Sequence, residues 1–152
     1  QGMAFESDIV TDAAPLNGLI LPLLDKLQGV RALRDPTRGG VAGALCDIAE
    51  SAGVCLRVSE PDLPIRPAVL GACNLLGLDP INVANEGKAI VVCGAEDADA
   101  VLELLRGHEL GRDACVSGSV VAEPPKLVLM ETKLGGERII ELPSGEDLPR
   151  IC

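Results

Sequence analysis

The sequence contains no tryptophan, no tyrosine and a single phenylalanine. A core without aromatic rings has to be filled by Val, Leu, Ile, Ala and Cys, and with 47% hydrophobic residues in 152 the chain is rich enough to do so. No apolar run reaches the roughly 18 residues of a membrane span. Histidine occurs once, as His108, and the six cysteines include no C-x-x-C pair, so neither a zinc site nor a disulfide framework is supported by spacing. The net charge of −10 argues against nucleic acid and against an anionic membrane as general partners.

What is present is organised for a packed domain. Cys46, Cys73 and Cys93 fall within apolar patterns and Cys55 within Val54-Cys55-Leu56. Buried, reduced thiols in a cytosolic protein are the simplest account of these four. His108 follows Gly107 at the end of a helical pattern, where a solvated or capping role is expected. The opening, Gln1-Gly2-Met3, reads as the interior of a longer chain.

Leu16, Leu19, Ile20, Leu23, Leu24 and Leu27 recur at helical spacing, with Pro15 in the first turn and Pro22 off the stripe. A short strand over 30–34 follows. A second helix runs through Val41, Leu45, Ile48 and Ala52 to Gly53, then a strand over 54–59. Pro67 opens a helix that Gly77 ends. An apolar strand is expected over 88–93. A helix over 96–107 has Ala98, Val101, Leu102 and Leu105 inward, and strands are expected over 115–121, 126–130 and 137–142. Helices alternate with strands first and strands then follow one another, which predicts one mixed sheet with helices packed on it. Residues 1–142 are expected to form the domain and 143–152 a flexible tail.

Three stretches carry chemical possibilities. Arg34-Asp35-Pro36-Thr37-Arg38-Gly39-Gly40 joins a strand to a helix. Two glycines at a helix start let backbone approach a ligand, the first N–H groups favour an anion, and Arg38 adds positive charge. The plainer alternative is a tight turn capped by Thr37 or Asp35. Asn85-Glu86-Gly87 precedes an apolar strand, where a carboxylate is placed for partial desolvation and proton transfer. The alternative there is an exposed turn shaped by Gly87. The chain ends in Pro149-Arg150-Ile151-Cys152. A terminal thiol is tethered on one side only, and the polar, turn-rich stretch before it gives a reach of about 33–36 Å if extended. The cysteine is last, not fourth from last, so this is no C-a-a-X lipid signal.

Together, Ser7-Asp8, Asp12-Ala13-Ala14-Pro15-Leu16, the turn at 34–40, Asn85-Glu86-Gly87 and the terminal Pro149-Arg150-Ile151-Cys152 resemble the C-terminal domain of the hydrogenase maturation factor HypE family. That family lies in a superfamily with aminoimidazole ribonucleotide synthetase and selenophosphate synthetase. The resemblance implies an α+β fold, a three-layer α/β/α domain with a mixed sheet related to the ferredoxin-like fold, of the PurM C-terminal type.

It also implies a function. Cys152 receives a carbamoyl group from the carbamoyltransferase HypF. An ATP-dependent dehydration, with Mg, converts the S-carboxamide to a thiocyanate. Cyanide then passes through a HypC–HypD complex to the iron of a [NiFe]-hydrogenase. On this reading Cys152 and Glu86 are catalytic, and Asp35, Thr37, Arg38, Gly39 and Gly40 contact the nucleotide. The resemblance implies no resident metal site and a cytoplasmic location. It implies a homodimer for the full-length protein and a monomer, inactive alone, for a chain lacking the N-terminal domain that carries most of the nucleotide site. Two alternatives stand beside it: a carrier module that presents Cys152 without chemistry of its own, and the C-terminal domain of another ATP-dependent synthetase of the superfamily.

Overall fold

The structure is a computed structural model in which residues 9–141 are described. Helix α1 is Asn17–Lys26, strand β1 Val30–Arg34, helix α2 Gly40–Ala52 and strand β2 Cys55–Ser59. Helix α3 is Pro67–Leu76, strand β3 Ile90–Cys93 and helix α4 Ala98–Arg106. Three strands complete the described residues: β4 Gly118–Val121, β5 Leu127–Glu131 and β6 Glu137–Ile140.

The main sheet has the order β4-β2-β5-β6 and is mixed. β2 and β5 run parallel, while β4 and β6 flank them antiparallel. The register aligns Leu56 with Val128 and Val128 with Ile140, so their side chains share one face; Val58 and Met130 join them there. Helix α2 covers this face. Its Ala42, Leu45 and Ala49, at spacings of three and four, form one buried cluster with Leu56, Val58, Val128, Met130, Ile140 and Ile81. Met130 is fully buried and Val128 nearly so. Burying such a side chain is worth roughly 1.5–3 kcal/mol, and several of them hold α2 to the sheet without any aromatic ring.

β1 and β3 pair antiparallel as a separate two-stranded sheet, with an irregularity between Val30 and Ala32. The α+β class and the mixed sheet are as expected, but the six strands divide between two sheets instead of forming one.

Helix ends follow the sequence closely. Gly53 and Gly77 take left-handed conformations (φ +65° and +70°) as C-caps, and Pro67 opens α3. α1 buries Leu19 and Leu23 as predicted, but Leu24 is 46% exposed and belongs to the outer face. β3 begins at Ile90, not at 88, and β4 at Gly118, not at 115. His108 caps as expected: its Nδ1 accepts the Leu110 N–H at 3.1 Å and holds the 3₁₀ turn Glu109–Gly111. The five described cysteines are free thiols. Cys55 and Cys73 are buried, whereas Cys46 and Cys93 are half-buried, less than their apolar patterns predicted. Among the described residues no helix is long and apolar enough to cross a membrane.

Candidate functional site

Two of the three singled-out stretches meet in space, joined by Asp12, to which sequence reasoning gave no role. Strand β1 ends at Arg34, whose guanidinium pairs with Asp47 on α2 at 2.7 Å, bridging the end of the strand to the helix. Thr37 Oγ1 donates to Asp35 Oδ2 at 2.9 Å. Neither residue caps α2. The N-cap is Gly39, in the left-handed region at φ +68°, and no side chain caps the helix. The plainer alternative, a turn capped by Thr37 or Asp35, is therefore not what forms. Asp35 and Arg38 are exposed, Thr37 half-buried and Gly40 buried. Among the described residues Arg38 makes no ion pair.

Gly40 is also left-handed, at φ +61°, and lies directly on the backbone of 81–83. A Cβ there would land on the Ile81 carbonyl oxygen, 2.5 Å from that of Val83 and 2.8 Å from the Asn82 carbonyl carbon. Just beyond, the Asn85 N–H donates to the Pro36 carbonyl at 3.0 Å. Asn85 Nδ2 donates to the Val83 carbonyl at 2.7 Å and stiffens the same loop. The turn at 35–40 and the Asn85-Glu86-Gly87 stretch are thus locked backbone to backbone.

Asp12 supplies the third contact. One of its oxygens, Oδ2, accepts both the Glu86 N–H at 3.2 Å and the Lys88 ammonium at 3.1 Å. Gly87 lies against the Asp12 backbone, and a Cβ at Gly87 would collide with the Asp12 carbonyl oxygen. Partial burial pushes the Asp12 carboxyl up. Lys88, through its hydrogen bond and its charge, together with backbone N–H donors at Glu86 and Asp12 itself, outweighs this and holds the carboxyl below the usual carboxylate range.

The Glu86 side chain itself is exposed and makes no hydrogen bond or ion pair among the described residues. The partial desolvation expected from the neighbouring apolar strand is not met among the described residues. Strand β3 starts four residues later and is only half-buried, so it does not shield the carboxylate. Cys152 and the rest of the tail lie outside the described residues. No group of three or more His, Cys, Asp or Glu side chains among those residues is arranged to hold a metal ion. Asp12 stands in one of the stretches that carry the family resemblance, but a carboxylate placed before a helix gives no sign, by itself, of a partner 74 residues away.

The chain as a whole is similar to known proteins. Residues 8–129 match the family of the AIR synthase related protein, C-terminal domain. The whole chain is 47% identical to carbamoyl dehydratase HypE of Azotobacter vinelandii and corresponds to 45% of that protein's length. A crystal structure of hydrogenase maturation protein HypE in complex with ATP superposes with a TM-score of 0.90 at 40% identity, covering 99% of this chain and 46% of that one. The HypE of a HypE–HypF complex superposes at 0.86 with 41% identity, over 93% of this chain and 46% of that one. The chain therefore spans just under half the length of the relatives it matches, and it belongs to the AIR synthase related protein C-terminal domain family.

Proposed function

We propose that this chain is the C-terminal part of an ATP-dependent carbamoyl dehydratase that converts an S-carboxamide on Cys152 to a thiocyanate for the iron centre of a [NiFe]-hydrogenase. The observation that supports this most is the convergence of Asp12, the turn at 35–40 and the loop at 85–87, in a chain similar along its whole length to carbamoyl dehydratases.

An amide oxygen is a poor leaving group. ATP would supply a phosphoryl group that turns that oxygen into a good one, releasing ADP; the C–O bond then breaks with phosphate leaving as the nitrile closes, one N–H proton going to Glu86 and the other to the departing phosphate. The start of α2 supports the reading of a partial polyphosphate site here. The N-terminus of α2 has no side-chain cap, its N-cap Gly39 and first residue Gly40 are glycines, and Arg38 stands exposed beside it. Asp35 and Thr37 shape the turn through their mutual hydrogen bond. Mg would arrive with the nucleotide. The rest of the nucleotide site lies in the N-terminal half that the relatives possess, so the chain alone is expected to turn over no ATP.

In this reading Cys152 carries the carboxamide and Glu86 accepts a proton from its nitrogen. Glu86 is exposed here, and the desolvation that suits a carboxylate to this task comes when the N-terminal half and the loaded tail cover it. The thiol is loaded by a HypF-type carbamoyltransferase; the solved HypE–HypF complex, to whose HypE this chain is similar, supports this. A HypC–HypD complex would take up the cyanide in the cytoplasm, and the full-length protein would act as a homodimer. The chain by itself is then a carrier that presents Cys152, and the second half makes it an enzyme.

The test is Glu86→Gln in the full-length protein. Carbamoyl acceptance and folding should be retained, and thiocyanate formation should slow by about 10²–10⁴-fold, the usual worth of a general base. Dehydration at the normal rate would return Glu86 to a structural turn.

A further inference from the structure

We infer that Asp12 is a positioning residue for this dehydration, fixing the Glu86 loop through its carboxylate. The inference rests on the reading of Glu86 as proton acceptor. Its basis is geometric. A single oxygen, Asp12 Oδ2, takes the backbone N–H of Glu86 and the ammonium of Lys88, one donor on either side of Gly87. Gly87 has no side chain where the Asp12 carbonyl passes, so the two backbones come together without an intervening Cβ. On the other side the Asn85 N–H is held by Pro36. Glu86 therefore sits between two anchored neighbours and is itself tied by its own N–H, while its side chain stays unattached among the described residues.

An ordinary surface ion pair does not call for this arrangement. The Asp12–Lys88 pair is about half exposed on the lysine side and contributes little as a pair. Its consequence is local: the negative oxygen determines where the Glu86 backbone lies, and with it the origin from which the carboxylate swings. Catalytic groups lose rate steeply with small misplacements, by up to about a hundredfold for a shift near 1 Å.

The measurement uses the full-length protein carrying the S-carboxamide on Cys152, with single-turnover thiocyanate formation followed by intact mass. Asp12→Ala should slow the step by roughly tenfold to a hundredfold. Asp12→Asn keeps an oxygen for the Glu86 N–H and should recover part of that loss. Combined with Glu86→Gln, Asp12→Ala should add nothing, because both act through one group. A slow Glu86→Gln beside an unimpaired Asp12→Ala would overturn this inference and leave the proton-acceptor reading intact. Multiplying effects in the double variant would also overturn it, showing that Asp12 acts elsewhere. A Glu86→Gln protein of normal rate would overturn the reading itself. Amide exchange gives a readout independent of turnover: Asp12→Ala in this chain should speed exchange at the Glu86 N–H by about fivefold to tenfold. Unchanged exchange would refute the positioning role even if the rates agreed. Should Asp12→Ala fail to fold, Asp12→Asn carries both arms.

Discussion

Replacing Gly40 by alanine tests whether the turn and the Glu86 loop form one unit. Two costs add. Alanine at φ +61° loses about 1–2 kcal/mol relative to glycine, because Cβ crowds the following carbonyl. The new methyl also strikes the carbonyls of Ile81 and Val83, which are backbone atoms and cannot rotate away. Forced overpacking of this kind costs typically 1–3 kcal/mol. The total is about 2–5 kcal/mol, or a fall in Tm on the order of 10 °C for a domain of this size. Gly53→Ala is the internal control. Gly53 has nearly the same backbone angle, φ +65°, but nothing lies within 4 Å of the added methyl. It should lose only the conformational 1–2 kcal/mol, or about 2–8 °C. Thermal melts of both variants, followed by circular dichroism, give the difference directly. Amide exchange at Asn85, whose N–H binds Pro36, should accelerate in Gly40→Ala and not in Gly53→Ala. If the two variants melt together, the close approach of the turn to the loop is not what holds the site.

Three further outcomes follow from the same structure. Gly71 lies inside α3 with no neighbour within 4 Å of a methyl, so Gly71→Ala should stabilise by about 0.5–1 kcal/mol in a denaturant titration, and destabilisation would contradict the open surroundings. Burial followed by the charge of Asp79 pushes the Cys73 thiol up; burial, then Asp62, does the same for Cys115, with Arg106 opposing. Alkylation of the native protein should therefore leave Cys55 and Cys73 unreacted until unfolding, and Cys115 should react with a pH midpoint above that of a free thiol; a Cys73 that reacts as fast as in urea would refute this. Because the folded Asp12 carboxyl is held low, its contribution to stability is present above its unfolded value and disappears as pH falls through the folded one. Its side chain is 38% exposed, so the contribution is small, and the stability gap between wild type and Asp12→Asn should narrow as pH falls below about 4, the ordinary Asp value; parallel curves would contradict the linkage.

The sequence was most informative where structure is local. Pro67, Gly53 and Gly77 mark helix ends because each acts through its own backbone angle, and those boundaries fell where expected. The 3.6-residue stripe located α1 and its buried Leu19 and Leu23, but a stripe does not set the width of the covering surface, and Leu24 fell outside it. Strand partnership is non-local. Nothing in 30–34 or 90–93 says that they pair with each other and leave the main sheet to the other four strands. The site was legible as separate motifs. That the turn meets the loop depends on Asn85 reaching Pro36 and on Gly40 lying against 81–83, contacts set by tertiary packing alone. Glu86 was expected to be shielded by an apolar strand; the strand starts too late and is too thin, and the carboxylate faces solvent.

The central claim is that Cys152 is the atom-bearing end of a dehydration. It is tested most directly by intact mass and peptide mapping of the full-length protein after incubation with the HypF carbamoyl donor system, first without and then with ATP. A carboxamide is expected on Cys152 alone, losing the elements of one water only when ATP is added, with no adduct in Cys152→Ala. An adduct on another cysteine, or a Cys152 carboxamide that ATP leaves unchanged, would contradict it.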